Sequence, residues 1–502
     1  MSMIKEAGWN TRRIIFVLMM IFLLGVFLRF FQLGVKSLWT DELVVMSHAI
    51  KLVDIHAFLD HTREDDLPKF YSLVFKYWMK LGETEFTMRS LSALCGCLSI
   101  LVIYGISRLF FDIKTSLSAA FLTAVSPFLM LYDRELRMYS MFALFSLLST
   151  YLFLRSLRDN RPFLWGLYAV VNILNIYTHY YAFLVLGVQW LSVMLRFRTM
   201  KPMIKPWIVV NGIILLSFAV KLPAFVRDVA YHAPWILPRE RFPFIFGKHV
   251  VEFFYIFFSF SVGQTILPWN PLAVIICLAV FLCLLFAVKT KISFSQDLVF
   301  LVLLIFVPVL IGNVFRISMP RYFIFSAPIF FMLIARGLWS LPKKVMVVTA
   351  LIVVTGWGYG LANYYTNKQF HIMAHVDPWR EVGQYLQENV SADEVIVGVG
   401  IGVVPLRHYY GAHIPGYSGK DLISAVTELT KTGTEKIWLV YTYQEEYDNW
   451  LKSREIVSKN YQVVKEKKWV HDPDYALKKK LFKRSFSPYR IVAELYESKK
   501  GS

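Results

Sequence analysis

The chain has 502 residues, of which 56% are hydrophobic and 18% charged, and a formal net charge of +19. A soluble protein carries nearer about a quarter charged residues, so this composition excludes an ordinary soluble enzyme. The basic balance would suit nucleic acid, but many Lys and Arg lie in short links between apolar runs, with no separate basic module, so that partner is excluded too.

The first apolar run, Ile14 to Phe31, follows Arg12 and Arg13. It is too long for a signal-peptide core and no small-residue cleavage site follows, so it reads as an uncleaved first span. Further runs of about 20 residues, each able to cross roughly 30 Å of hydrocarbon, predict about eleven spans. Their centres lie near residues 23, 101, 124, 148, 171, 188, 214, 279, 305, 329 and 353. The links Arg155 to Arg161, Arg196 to Lys205, Lys289 to Lys291 and Arg336 to Lys344 alternate as basic inside loops, because positive charge is retained on the cytoplasmic side. An inside N-terminus and an odd span count then put the C-terminus outside.

Three outside segments follow from that topology. The first covers residues 34–89 and is long and polar; loops of that length usually have a task. The second is Tyr132 to Tyr139. The third runs from Leu222 to Asn270 and carries Pro234, Trp235, Pro238 and an aromatic stretch, Phe253 to Phe260, that suits an interfacial helix. Cys95, Cys97, Cys277 and Cys283 all lie in apolar stretches and read as packing residues.

From Tyr364 the composition becomes that of a small soluble domain. A helix is predicted over Trp379 to Glu388 and another over Ala425 to Lys431. Strands are predicted over Glu394 to Val399, Lys436 to Tyr441 and Tyr489 to Tyr496. This alternation implies an α/β domain. The chain thus divides into a membrane domain, 1–363, and an outside domain, 364–502. The basic tail Lys478 to Arg484 reads as a solvated face, with anionic head groups as the alternative. The run Gly398-Val399-Gly400-Ile401-Gly402 is no dinucleotide fingerprint, since its third glycine comes too early.

Candidate chemistry concentrates on the outside face. Asp41 and Glu42 sit where the first loop opens, and boundary carboxylates often mark a site. Read alone, Thr40 and Asp41 serve equally well as helix caps. Lys69, after Pro68 and before Phe70 and Tyr71, could meet a phosphate as a point charge or snorkel to the interface. The run Arg63-Glu64-Asp65-Asp66 reads as solvated. In the second loop Asp133 and Arg137 are four residues apart and could pair on a helix, as Glu135 and Tyr139 could share another face. Tyr177-Thr178-His179-Tyr180-Tyr181 holds one His among aromatics, without a second His at metal-ligand spacing. Arg321, between Pro320 and Tyr322, is an outside Arg whose fork suits a phosphate or diphosphate.

On one membrane face these residues supply carboxylates at 41, 42 and 135 and cations at 69, 137 and 321. A base with a cation clamp suits transfer from a phosphate-activated donor, with the base taking a proton from an acceptor hydroxyl. A phosphate leaving group removes the need for the paired acid of a glycosidase.

The stretches Ser37-Leu38-Trp39-Thr40-Asp41-Glu42, Glu135-Leu136-Arg137-Met138-Tyr139-Ser140, Thr178-His179-Tyr180-Tyr181 and Pro320-Arg321-Tyr322 resemble bacterial GT-C glycosyltransferases of the family 39 and 83 types. These include the protein O-mannosyltransferases and the lipid A aminoarabinose transferase. Asp377-Pro378-Trp379-Arg380-Glu381 with Tyr385-Leu386 is similar to the extracytoplasmic domain of the bacterial branch. The resemblance implies a polytopic α-helical fold of about eleven spans with a C-terminal extracytoplasmic α/β domain, in a bacterial cytoplasmic membrane. It implies Asp41 as the base, supported by Glu42, with Glu135 also catalytic. Lys69, Arg137, Tyr139, His179, Tyr180, Arg321 and Tyr322 would bind the donor phosphate or substrate.

The implied donor is a polyprenyl-phosphate sugar and the implied reaction inverts the anomeric centre. The acceptor would be a lipid, glycan or protein, and membrane lipids surround the spans. The chain departs from its relatives where many have a Pro-Pro pair and this one has Pro68-Lys69. It also lacks their second-loop Asp at its usual offset. No metal ligands are assigned, and the sequence leaves a divalent cation open. A transporter or flippase of lipid-linked glycans, or a ligase using a diphosphate carrier, stays open as the alternative.

Overall fold

The structure, a computed structural model, describes residues 9–52, 69–227, 242–289, 296–315, 318–371, 373–399, 403–411, 416–417, 419–441, 447–471 and 489–499. Residues 63–66, Pro68, Pro234, Trp235, Pro238, Gly400, Gly402 and the 478–484 tail, all singled out from the sequence, lie outside them. The chain forms two compact units, Met1–Gly34 with Val45–His371, and Val35–Val44 with Ile372–Ser502.

The first unit is a helical bundle. Helix α1 is Thr11–Phe30; α2, Thr40–Lys51, begins in the second unit and ends in the first; α3 is Phe70–Trp78 and α4 Glu85–Ser107. Then come α5 (Ile113–Val125), α6 (Pro127–Asp133), α7 (Tyr139–Asp159), α8 (Pro162–Ile176), α9 (Ala182–Leu195) and α10 (Phe197–Ser217). The unit is completed by α11 (Phe242–Val262), α12 (Pro271–Lys289), α13 (Gln296–Val314), α14 (Ser326–Ser340) and α15 (Lys343–Tyr365).

Among the described residues five helices are long and apolar enough to cross a membrane: α1, α4, α7, α12 and α15. The pair α5 and α6 is long and apolar enough only when taken together, and is bent by 54°, the form of a broken span or a re-entrant loop. The bend has a local cause. Ser126 is extended and its side chain accepts from the Leu129 amide, while Pro127 has no N–H to continue the preceding helix. Six shorter apolar helices accompany these spans, and one of them, Val250–Val262, contains the aromatic stretch expected at the interface.

Burial sorts the helices. In α7, 78% of the apolar stretch is buried within the protein, against 17% in α1. Ile15, Phe16, Met19, Leu23 and Phe27 of α1 are exposed. An all-apolar helix with an open apolar surface is stable in lipid. The protein is a multi-pass membrane protein.

The second unit is built on a five-stranded sheet of order β2-β1-β3-β5-β4, with β1 Val395–Val399, β2 Gly416–Tyr417, β3 Lys436–Tyr441, β4 Tyr461–His471 and β5 Tyr489–Ser498. Strand β1 runs parallel to β2 and β3, whereas β5 is antiparallel to β3 and β4. Alternate β3 residues serve opposite faces, as the two-residue strand period requires. Trp438 and Val440 pack with Trp379, Val382 and Leu386 of α16 (Trp379–Asn389) and Leu406 of α17 (Val403–Tyr410). Ile437, Leu439 and Tyr441 pack with Leu422 and Val426 of α18 (Gly419–Lys431) and Trp450 of α19 (Tyr447–Asn460). Helices on both faces explain the unbroken apolar character of β3.

Candidate active site

The second loop is shorter than its sequence suggests and is not helical. Helix α6 ends at Asp133, Arg134 takes φ −111° and ψ 17°, and α7 starts at Tyr139. The expected Asp133–Arg137 pair therefore does not form, because four-residue spacing brings side chains together only on a continuous helix. Asp133 instead meets Arg29 of α1 at 2.8 Å. Arg137 turns the other way and donates from Nη2 to the Tyr139 hydroxyl at 3.2 Å.

Around Tyr139 the structure gathers most of the predicted residues of the first unit. The guanidinium carbons of Arg137 and Arg321 lie 5.4 and 5.6 Å from the Tyr139 ring centre, and Arg321 also stands 5.7 Å from Tyr322. His179 is 6.1 Å from Tyr139 and 5.5 Å from Tyr322, and it stacks on Phe142 at 4.7 Å. Tyr181 closes the group, 5.3 Å from Tyr322 and 5.4 Å from His179. Guanidinium groups over phenol rings gain from the ring quadrupole, which helps to hold both cations in place.

Electrostatics follow from this packing. Burial, then the charges of Arg137 and Arg321, push the His179 imidazole down to about 3, so it is neutral at neutral pH. Its Nδ1 accepts from the Tyr181 amide at 3.2 Å, which leaves the ring proton on Nε2. Burial by itself would lower the Arg321 pKa. The phenols of Tyr139, Tyr322 and Tyr132 and the carboxylate of buried Glu135 raise it above its ordinary value.

Lys69 is buried and precedes the first residue of α3. The next amide, of Phe70, donates to the Tyr177 carbonyl at 3.0 Å, which ties this point of the chain to the loop of His179. In α3, the Tyr71 hydroxyl bonds Ser92 at 2.7 Å, and Ser92 Oγ donates to the Arg137 carbonyl at 3.0 Å. Tyr180 faces elsewhere, against Phe225 at 4.9 Å and Phe218 at 6.2 Å. The aromatic at the cluster is its neighbour Tyr181.

Asp41 and Glu42 belong to the second unit's share of α2. Glu42 is fully buried, and its Oε2 accepts from the Trp39 amide at 3.2 Å. That is the reach of a carboxylate at the third helical position back to the cap residue. Asp41, one position earlier, is partly exposed. The preceding residues are pinned within the same unit. The Leu38 amide donates to the Tyr409 hydroxyl at 2.7 Å, the Arg380 amide to Ser37 Oγ at 3.1 Å, and Trp39 packs on His375 at 4.7 Å. Among the described residues no group of three or more His, Cys, Asp or Glu is arranged to hold a metal ion.

Sequence reasoning missed Tyr181, Phe142 and Arg29. Phe142 carried no signal beyond its aromatic neighbours, whereas Tyr181 stands in the Thr178-His179-Tyr180-Tyr181 stretch. Arg29 carried a signal: it is an arginine inside the first apolar run, where charge is expensive.

The family described as dolichyl-phosphate-mannose-protein mannosyltransferase matches residues 66–225. No curated protein matches the chain. Among solved structures, ArnT from Cupriavidus metallidurans in its apo state aligns with a TM-score of 0.57 at 11% identity, covering 97% of this chain and 98% of that one. The same protein bound to undecaprenyl phosphate aligns with a TM-score of 0.57 at 12% identity over the same shares. The oligosaccharyltransferase AglB from Archaeoglobus fulgidus, in complex with an inhibitory peptide and a dolichol-phosphate, gives 0.54 at 11% identity over 92% of this chain and 73% of that one. The chain shares the fold of these ArnT and AglB structures.

Proposed function

We propose that this GT-C-fold membrane protein is an inverting glycosyltransferase that moves a sugar from a polyprenyl phosphate to an acceptor hydroxyl. The observation that carries the reading is the pair of guanidinium groups, Arg137 and Arg321, sharing the Tyr139 ring beside a neutral His179. Two guanidinium groups over one ring present two forks to a single anion, and guanidinium groups match phosphate oxygens. The likeness to a protein solved with undecaprenyl phosphate supports a carrier of that kind.

In this reading Asp41 takes the proton of the acceptor hydroxyl. The oxygen attacks the anomeric carbon, the bond from that carbon to the phosphate oxygen breaks, and polyprenyl phosphate departs with its charge against Arg321, Arg137 and Lys69. Attack opposite the leaving group inverts the centre. Glu42 holds the start of the helix on which Asp41 sits, and Glu135 balances the cations from the second loop. The site and the C-terminal unit would face away from the cytoplasm, in a bacterial inner membrane. The acceptor is a lipid, glycan or protein of the envelope.

Mass spectrometry of lipid extracts and envelope glycans from cells with and without the protein tests this directly. A polyprenyl-phosphate sugar should accumulate in its absence while one envelope glycan or lipid loses that sugar. Identical profiles would overturn the reading.

A further inference from the structure

Arg29 is fully buried in α1, and Asp133 is buried at the end of α6. Arg29 Nε and Nη2 meet Asp133 Oδ2 at 2.9 and 2.8 Å. The rest of the guanidinium serves main-chain carbonyls: Gly25 at 3.2 Å, Ala124 at 3.0 Å and Thr123 at 3.2 Å. Thr123 would bond the amide of residue 127 in a continuous helix, but that residue is Pro127, so Arg29 replaces the missing donor. The other Asp133 oxygen accepts from Ser140 Oγ at 2.7 Å, and the same hydroxyl lies 3.1 Å from the Tyr132 carbonyl.

Ser140 is the second residue of α7 and Asp133 the last of α6. Their bond therefore closes residues 134–138 into a stapled link, and Arg29 anchors the staple to α1 and α5. That link carries Glu135 and Arg137. Gly96 of α4 leaves the space: a Cβ there would overlap the Asp133 carboxyl group.

A buried ion pair is weak evidence for stability, since apolar replacement of both partners is often neutral. A use in placing the link explains an expensive charge inside the bundle better. We propose that the Arg29–Asp133 pair is a positioning device that sets residues 134–138, and with them Arg137, for the donor phosphate. The proposal rests on the reading of Arg137 as part of the donor site.

The test uses the full chain in lipid nanodiscs with undecaprenyl phosphate as probe, reading Kd and melting temperature together. The R29M/D133L variant should stay folded and bind the probe about tenfold more weakly or worse, a loss of roughly 1.4 kcal/mol. D133N, which keeps the side-chain shape, should weaken binding in the same direction. S149A breaks a buried bond to Asn172 elsewhere in the bundle, and should lower the melting temperature with Kd unchanged. Wild-type affinity in either folded variant of the pair would overturn the proposal, as would an equal loss of affinity in S149A. Failure of the unmutated protein to bind the probe would overturn the donor reading, and the proposal with it.

Discussion

Arg137 donates to the Tyr139 hydroxyl at 3.2 Å while its guanidinium carbon lies 5.4 Å from the centre of the same ring. The arginine thus meets both the edge and the face of one phenol. Arg321 uses the same ring at 5.6 Å. One aromatic side chain is therefore shared by two guanidinium groups.

Removing one arm of this clamp should weaken donor binding more than it slows chemistry. A hydrogen bond to a charged group contributes about 1.5–3 kcal/mol, so Arg321→Ala should raise the donor KM by about tenfold to a hundredfold. Arg321→Lys should recover only part of this, since an ammonium is a point charge and not a fork. Steady-state kinetics with the donor varied at saturating acceptor measures both.

Asp41 and Glu42 are adjacent but predicted to fail differently. Glu42→Ala removes the bond to the Trp39 amide and should lower stability by about 1 kcal/mol, as cap losses do. Asp41→Asn should leave the melting temperature unchanged and abolish transfer, because an amide cannot take the acceptor's proton. Thermal melting beside a transfer assay separates them. Full activity in Asp41→Asn would remove that residue from the role of base.

His179 makes stability depend on pH. Burial, then Arg137 and Arg321, lower its folded pKa to about 3, while the unfolded imidazole titrates near about 6.5. Between these values the unfolded chain holds a proton that the folded chain does not. The favourable term is therefore fully present above about pH 6.5 and falls by about 1.4 kcal/mol per pH unit as the pH drops below it. His179→Phe, which keeps the stack on Phe142, should flatten the melting temperature between about pH 6.5 and 5 relative to the unmutated protein. A slope unchanged by the substitution would contradict the neutral assignment.

Much of this was readable in the chain, for physical reasons. Apolar runs give spans because lipid demands them, and Lys436–Tyr441 gives a buried strand because both its faces are covered. The second loop misled because its charges repeat at helical spacing, while the chain leaves the helix at Arg134 and Asp133 pairs with the distant Arg29. Tyr180 and Tyr181 are equivalent as letters, and only the turn after His179 selects Tyr181 for the cluster. Strand β4 was missed because its Lys465, Lys467 and Lys468 interrupt the alternation that marks a strand. Glu42 follows the candidate base Asp41, and its spacing from Trp39 also fits a cap.

The most direct measurement is turnover by the purified protein in liposomes. The vesicles carry a polyprenyl-phosphate sugar or its diphosphate counterpart, with envelope extract as the acceptor source, and the released carrier is quantified by mass spectrometry. The account predicts release of polyprenyl monophosphate from the monophosphate donor, coupled to sugar transfer, lost in Asp41→Asn and reduced in Arg321→Ala at donor concentrations below its raised KM. Consumption of the diphosphate donor alone, or carrier movement across the bilayer without sugar transfer, would contradict it.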